Sequence, residues 1–258
     1  MGQFLRCTRP ASDAGLISRG HRPRLLLALL LTSAFATGPA RAQERDSWSI
    51  EPSLYLFLAG LTGTVGIGPF DFDLSNPSDA IWHINFGAMG SVRVAYGPWA
   101  LTAEALYADL GATKGNLSGS VQELIVEPTV SYRLYSWLEP LAGVRYDRAG
   151  ADADGPLGHS HAVTQGWVDP IVGAHLRAQV SETVSIDFRG DVGGFSIGSK
   201  LTWQAFPYVT WRVAKILSLQ AGYRVLSIDY ESGSGTERVK FDVIELGPQL
   251  GVTFHIDL

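Results

Sequence analysis

Cysteine is nearly missing from this sequence. One residue of 258 is a cysteine, Cys7, and it lies in a leader that reads as removed. The remaining chain therefore has no disulfide, no thiol nucleophile and no thiolate metal site. Lysine is scarce as well, with only Lys114, Lys200, Lys215 and Lys240. A soluble all-β protein keeps its surface rich in Lys and Glu, so the shortage implies that much of the outer surface does not face water. Charged residues make up 17% and the formal net charge is −5. That is too apolar for a disordered chain and the wrong sign for a nucleic-acid binder. After the leader no apolar run reaches the roughly 20 residues of a membrane-spanning helix. No phosphate loop, dinucleotide-fold glycine pattern, zinc-ligand spacing or Gly-x-Ser-x-Gly elbow occurs, and no cofactor is expected.

Residues 1–42 carry the marks of an export signal. Arg19, Arg22 and Arg24 form a positive flank, Leu25 to Ala36 a short apolar core, and Ala40-Arg41-Ala42 a small-residue site that places cleavage before Gln43. An uncleaved anchor is the alternative. The basic stretch is long for such a leader, which leaves the true start codon open. Residues 43–258 are expected to form one domain.

That domain alternates apolar and polar residues with period two, the pattern of strands with two unlike faces. From Val184, Val184, Ile186, Phe188 and Val192 share one face, and Ser185, Asp187, Arg189 and Asp191 the other. Similar alternation runs through 48–61, 82–96, 99–110, 123–134, 138–147, 168–180, 199–213, 216–230 and 241–258. The count is about ten strands, with eight or twelve as the neighbouring options. One strand changes phase: Leu217, Leu219, Ala221, Tyr223 and Val225 give way to Leu226, Ile228 and Tyr230. A bulge near Val225 would account for the switch.

Tight turns at Gly97-Pro98, Ser136-Trp137, Ser181-Glu182-Thr183 and Ala214-Lys215 alternate with longer links at 67–81, 111–120, 148–162, 194–198 and 231–238. This is the layout of an all-β, antiparallel, up-and-down barrel with both termini at the short-turn end. In a Gram-negative outer membrane that end is periplasmic. The short link at Gly194 implies a low rim there.

Alternation alone does not say which face points outward, and a soluble lipocalin-like barrel is the competing reading. Three features favour a transmembrane barrel. First, the polar faces carry Arg93, Arg133, Arg145, Arg177, Arg189, Arg212 and Arg224 against Glu51, Glu104, Glu127, Glu139, Asp187 and Glu245. Such a set fills a narrow lumen with ion pairs. Second, Trp82, Tyr96, Tyr107, Tyr132, Tyr146, Trp203 and Trp211 sit near strand ends on the apolar face, as interfacial girdles require. Third, the C-terminus resembles a terminal-strand signal for the barrel-assembly machinery, through Gln249, Gly251, Phe254 and Ile256, although it ends on Leu258 rather than an aromatic residue.

The mature chain resembles a large group of uncharacterised proteobacterial outer-membrane β-barrel proteins. The resemblance is carried by Trp167-Val168-Asp169-Pro170-Ile171-Val172-Gly173, Gly190-Asp191-Val192-Gly193-Gly194-Phe195, Gly198-Ser199 with Leu201-Thr202-Trp203-Gln204, and Gly222-Tyr223-Arg224-Val225-Leu226 with Asp229-Tyr230. It implies a fold and a cell outer-membrane location, and brings no catalytic residues with it.

Three functions are open at this point. The favoured one is a structural, envelope-integrity or surface-interaction barrel with an ion-paired, closed lumen. Its loops at 67–81 and 148–162 would contact outer-membrane lipid, lipopolysaccharide or an outside partner. A narrow, porin-like pore for small solutes is the second, since open channels appear only near sixteen strands. The third is a hydrolase at the outer rim, where His83, Asp147, Asp169, Asp191 and Lys200 would sit as acid and base. Against it, the same aspartates suit pairing with lumen arginines. His159 and His161, beside Asp152 and Asp154, read as a solvated loop rather than a metal site.

Overall fold

The computed structural model describes residues 47–73, 84–114, 117–154 and 160–258, so the leader, Trp82, His83 and His159 lie outside the described residues. Period-two sequence becomes strand throughout. The strands are β1 (Trp48–Phe57), β2 (Gly60–Ile67), β3 (Phe70–Asp73), β4 (Ile84–Tyr96), β5 (Trp99–Lys114), β6 (Leu117–Tyr132) and β7 (Leu138–Asp154). They continue with β8 (Ser160–Gln179), β9 (Val184–Gly193), β10 (Leu201–Ala214), β11 (Leu217–Ser232), β12 (Val239–Phe254) and β13 (Ile256–Asp257). Each of β4 to β11 pairs antiparallel with the next, β4 pairs with β1, and β1 closes on β12 from Ser53↔Thr253 to Phe57↔Gln249. The result is a closed ten-stranded antiparallel barrel. β2 continues β1 beyond Leu58-Ala59 along the upper part of β12 and carries β3 as a hairpin partner, while β13 pairs with Ser49 and Ile50. At the closing seam Gly251 leaves room for the Tyr55 ring, since a Cβ there would stand 2.5 Å from Tyr55 Cδ1.

The barrel is inside out relative to a soluble one. On β9, Ile186, Phe188 and Val192 are exposed, whereas Ser185, Asp187 and Asp191 are buried in the lumen. Two aromatic rings circle the outer face. Trp48 packs on Tyr96 with centroids 4.9 Å apart, and Trp99 on Tyr132 at 4.8 Å, near the termini. Tyr107, Tyr146 and Trp203 are exposed nearer the loops. Trp99 to Tyr107 and Trp203 to Trp211 each span eight residues. That is about 27 Å along a strand, or about 20 Å of height at a tilt near 40°.

Two expectations are corrected. β11 has no bulge at Val225: its pairing with β12 runs unbroken from Leu217↔Phe254 to Ser232↔Val239, and the shift against β10 lies at Arg212/Ala214. Leu226 and Ile228 simply point inward, fully buried, because the loop-end half of the lumen is apolar. The links at 111–120 and 148–162 are mostly strand. β5 and β6 pair out to Lys114↔Leu117, and β7 and β8 to Asp154↔Ser160. Glycine, alanine and aspartate dilute the alternation there, while each strand still has a paired neighbour to satisfy its backbone.

The rim is uneven in consequence. β8 pairs with β9 only as far as Ile171↔Gly193, yet continues with β7 to Ser160. The link after β9 stays short and tight, with Gly194, Phe195 and Ser196 all at positive φ (86°, 49° and 61°).

Candidate functional site

The lumen is built in layers, each set by which inward residue a strand supplies at that height. Nearest the termini is a polar vestibule of about 800 Å³. In it Arg93 grips Glu139 with two bonds, at 2.7 and 3.0 Å, and lies 3.7 Å from Glu51. Ser131 donates to the same Glu139 carboxylate, and His255 Nδ1 is 3.1 Å from Glu51 Oε1. On the opposite wall Arg177 donates to Asp187 at 2.7 Å, with His175 at 3.2 Å from that carboxylate and 2.9 Å from the Tyr208 hydroxyl.

Above it an ion-paired belt crosses the barrel. Arg145 on β7 has no exposed side-chain surface. It donates Nε to Glu127 Oε2 at 2.7 Å, Nη1 to Thr202 Oγ1 at 2.8 Å and Nη2 to Asp191 Oδ1 at 2.8 Å. Arg189 reaches Glu104 at 3.2 Å and also binds Glu127. Arg224 donates to the other Glu104 oxygen at 2.7 Å, and Gln204 binds Asp191. Three guanidiniums thus meet three carboxylates contributed by five strands. The balance removes most of the cost of burying charge, because every ion has an opposite partner at bonding distance.

The layer nearest the loops is apolar. Leu61, Val65, Met89, Leu106, Ile125, Leu226, Ile228 and Val243 form one buried cluster with Trp167, Tyr230 and Phe241. Trp167 stacks on Tyr230 with centroids 3.9 Å apart. Set into this layer are three buried carboxyls, Glu123, Asp147 and Glu245. Sequence reading missed the apolar layer, although the shift to Leu226, Ile228 and Tyr230 was its visible trace.

The expected lumen residues separate into groups. Arg93, Glu51 and Glu139 lie together, as do Arg177 with Asp187, and Arg145, Arg189 and Arg224 with Glu104 and Glu127. Arg133 and Arg212 are exposed beside the vestibule and join no ion pair among the described residues, and Glu245 faces carboxyls instead of an arginine. The rim candidates do not converge. Asp191 belongs to the belt. Asp169, fully buried, accepts from the Ser199 backbone N–H and hydroxyl, both at 2.6 Å. Lys200 is exposed and donates to Glu231 at 2.5 Å, and His83 lies outside the described residues. On the terminal strand Gln249 points into the lumen, while Phe254 and Ile256 are exposed outside.

A closed up-and-down barrel with its apolar face outward and its charges within has the fold of the outer-membrane β-barrel class. Solved structures of that class align over most of the chain at low identity. Ail, the attachment invasion locus protein of Yersinia pestis, matches at 10% identity over 82% of this chain and 100% of its own, with a TM-score of 0.41. The translocator domain of the autotransporter NalP from Neisseria meningitidis matches at 12%, over 88% and 94%, with a TM-score of 0.40. A Pseudomonas aeruginosa FadL homologue matches at 10%, over 88% and 93%, with a TM-score of 0.38. No family model and no curated protein matches the chain.

Proposed function

We propose that the protein is a closed barrel of the cell outer membrane whose work is done by its wall and rim rather than by a conducting lumen. The observation that carries this reading is the stacking of two barriers. The neutral belt of Arg145, Arg189 and Arg224 with Glu104, Glu127 and Asp191 fills the middle, and the apolar cluster around Leu226 and Ile228 fills the layer above. An ion passing from vestibule to loops would have to break the first and then dehydrate in the second.

The strands β5 to β8 extend as a paired wall beyond the rim at β9. Along β8 the extension from Ile171 to Ser160 is about 36 Å at roughly 3.3 Å per residue. Such a wall suits contact with lipopolysaccharide or an outside partner, in keeping with an envelope-integrity or surface role. A rim hydrolase is not favoured, since Asp169, Asp191 and Lys200 each serve a separate contact.

Planar-bilayer recording on protein purified from the outer membrane tests the closed lumen. Silence from protein with heat-modifiable gel mobility is the expected result. Discrete, reproducible steps would replace this reading with a narrow pore entered through the 800 Å³ vestibule.

A further inference from the structure

The wall has a seam. β1 pairs with β4 only from Trp48↔Tyr96 to Tyr55↔Met89. Past that point β1 breaks at Leu58-Ala59, β2 turns its outer edge to β3, and β4 from Ile84 to Ala88 pairs with β5 alone among the described residues. A pocket of about 50 Å³ lies in this seam. It is lined from Tyr107, exposed on the outer face, through Leu61, Met89 and Leu106, to Glu123 and Glu245 in the lumen.

The inner end of the pocket is electrically incomplete. Glu123 and Glu245 stand carboxyl to carboxyl, with Asp147 near enough to add its charge. Among the described residues, Glu123 Oε1, Glu245 Oε1 and both Asp147 oxygens are buried without a hydrogen-bond partner. Of the nearby guanidiniums, Arg145 is committed to Glu127, Thr202 and Asp191, and Arg224 donates Nη1 to Glu104, while its buried Nε has no partner among the described residues. Buried carboxyls in an apolar layer need a donor or a cation to offset their desolvation. Among the described residues no set of three such groups converges on a point as a metal ion requires. The complement is a group with several N–H donors on an apolar stem.

We propose that the seam pocket binds a small primary alkyl ammonium, which enters sideways from the surrounding apolar phase. Its first methylenes lie along Leu61, Met89 and Leu106, and a longer chain trails out past Tyr107 into the apolar phase. Its head directs N–H donors at Glu123 and Glu245, with Asp147 supplying further negative charge behind them. A primary ammonium has three donors and a compact charge, which suits diverging carboxyl oxygens better than a planar, bidentate group. The site is independent of whether the lumen conducts.

The test is calorimetric titration of the intact protein in non-ionic detergent at pH 7 with n-octylamine, against octan-1-ol and octanoate as length-matched controls. Octylamine is expected to bind at least tenfold more tightly than octanol, with octanoate weakest. Glu123→Gln/Glu245→Gln, folded by heat-modifiable mobility, is expected to lose at least tenfold. Met89→Trp fills the pocket and leaves all three carboxyls in place, so it is expected to abolish binding and decides the matter should the double variant not fold. Equal affinity for octanol, no binding by folded wild type, or binding unchanged in Met89→Trp would each overturn the proposal.

Discussion

Arg145 and Asp191 meet at 2.8 Å with neither side chain exposed, although β8 lies between the strands that carry them. The contact therefore runs through the lumen rather than along the wall. Arg145→Met would strand Glu127 and Asp191 as buried carboxylates around Arg189 alone. Removing one member of a buried pair costs about 3–5 kcal/mol, and that loss is expected in urea unfolding of the protein in lipid vesicles. Adding Asp191→Asn to Arg145→Met should cost less than the sum of the two single changes. Strict additivity would show that the pair is not coupled.

The β9–β10 link hangs on Asp169. Its carboxylate takes both the Ser199 N–H and the Ser199 hydroxyl, and Ser199 is fully buried. Gly198 must lie flat against the same group, for a Cβ would stand 2.5 Å from Asp169 Oδ1 and 2.6 Å from the Val168 carbonyl oxygen. Asp169→Ala leaves buried donors unpaired, at a cost of about 1–3 kcal/mol. Gly198→Ala is expected to displace the link without touching a hydrogen-bonding side chain. Limited proteolysis of whole cells should cut both variants between Gly193 and Leu201 faster than wild type. An unchanged cleavage rate would mean that the link is held by other contacts.

Period-two alternation and the placing of tight turns made the ten strands and their outward face legible, because lipid-facing and lumen-facing residues differ so sharply in Val184–Val192. The belt's charges were legible as a set, but their pairing was not. Arg145 reaches Asp191 across β8, and nothing in one strand's sequence records the height of its neighbours. Leu226, Ile228 and Tyr230 were misread for a related reason. A lumen that changes from polar to apolar reproduces the phase change of a bulge, and register alone separates the two. The seam was hidden as well, since β1 and β2 read as one continuous strand over 48–61.

At the rim Glu231 accepts from Lys200 at 2.5 Å and from Arg238 Nε at 2.8 Å. The hydrogen bonds from Lys200 and then Arg238 hold its carboxyl down at a pKa of about 2, against an ordinary 4.5. A carboxyl lowered on folding stabilises the fold above its unfolded value, and that contribution disappears as pH falls through the folded one. The cluster is therefore intact at pH 5 and expected to release between about pH 4.5 and 2. Carbon-detected NMR titration of the Glu231 carboxyl should show a midpoint well below 4, moving up in Lys200→Gln. A midpoint near 4.5 in wild type would mean that solvent screens the contacts.

Ala103 offers the most direct test of what the outer face meets. It lies midway between Trp99 and Tyr107 on β5, is exposed, and pairs with Val92 and Pro128. Its small side chain leaves no cavity when replaced, so a substitution there reports the surroundings rather than packing. On a lipid-facing barrel surface an arginine at mid-height costs about 2–4 kcal/mol, falling toward zero near the interfaces. Ala103→Arg is expected to lose that much relative to Ala103→Leu in vesicle unfolding. Moving the arginine to Leu101, two residues nearer the ring of Trp99, should lessen the loss, because the side chain can snorkel toward the headgroups. On a water-facing surface arginine would be neutral at both heights. Equal stability of Ala103→Arg and Ala103→Leu would therefore remove the membrane from the reading, while the closed barrel and its ion-paired belt would still stand.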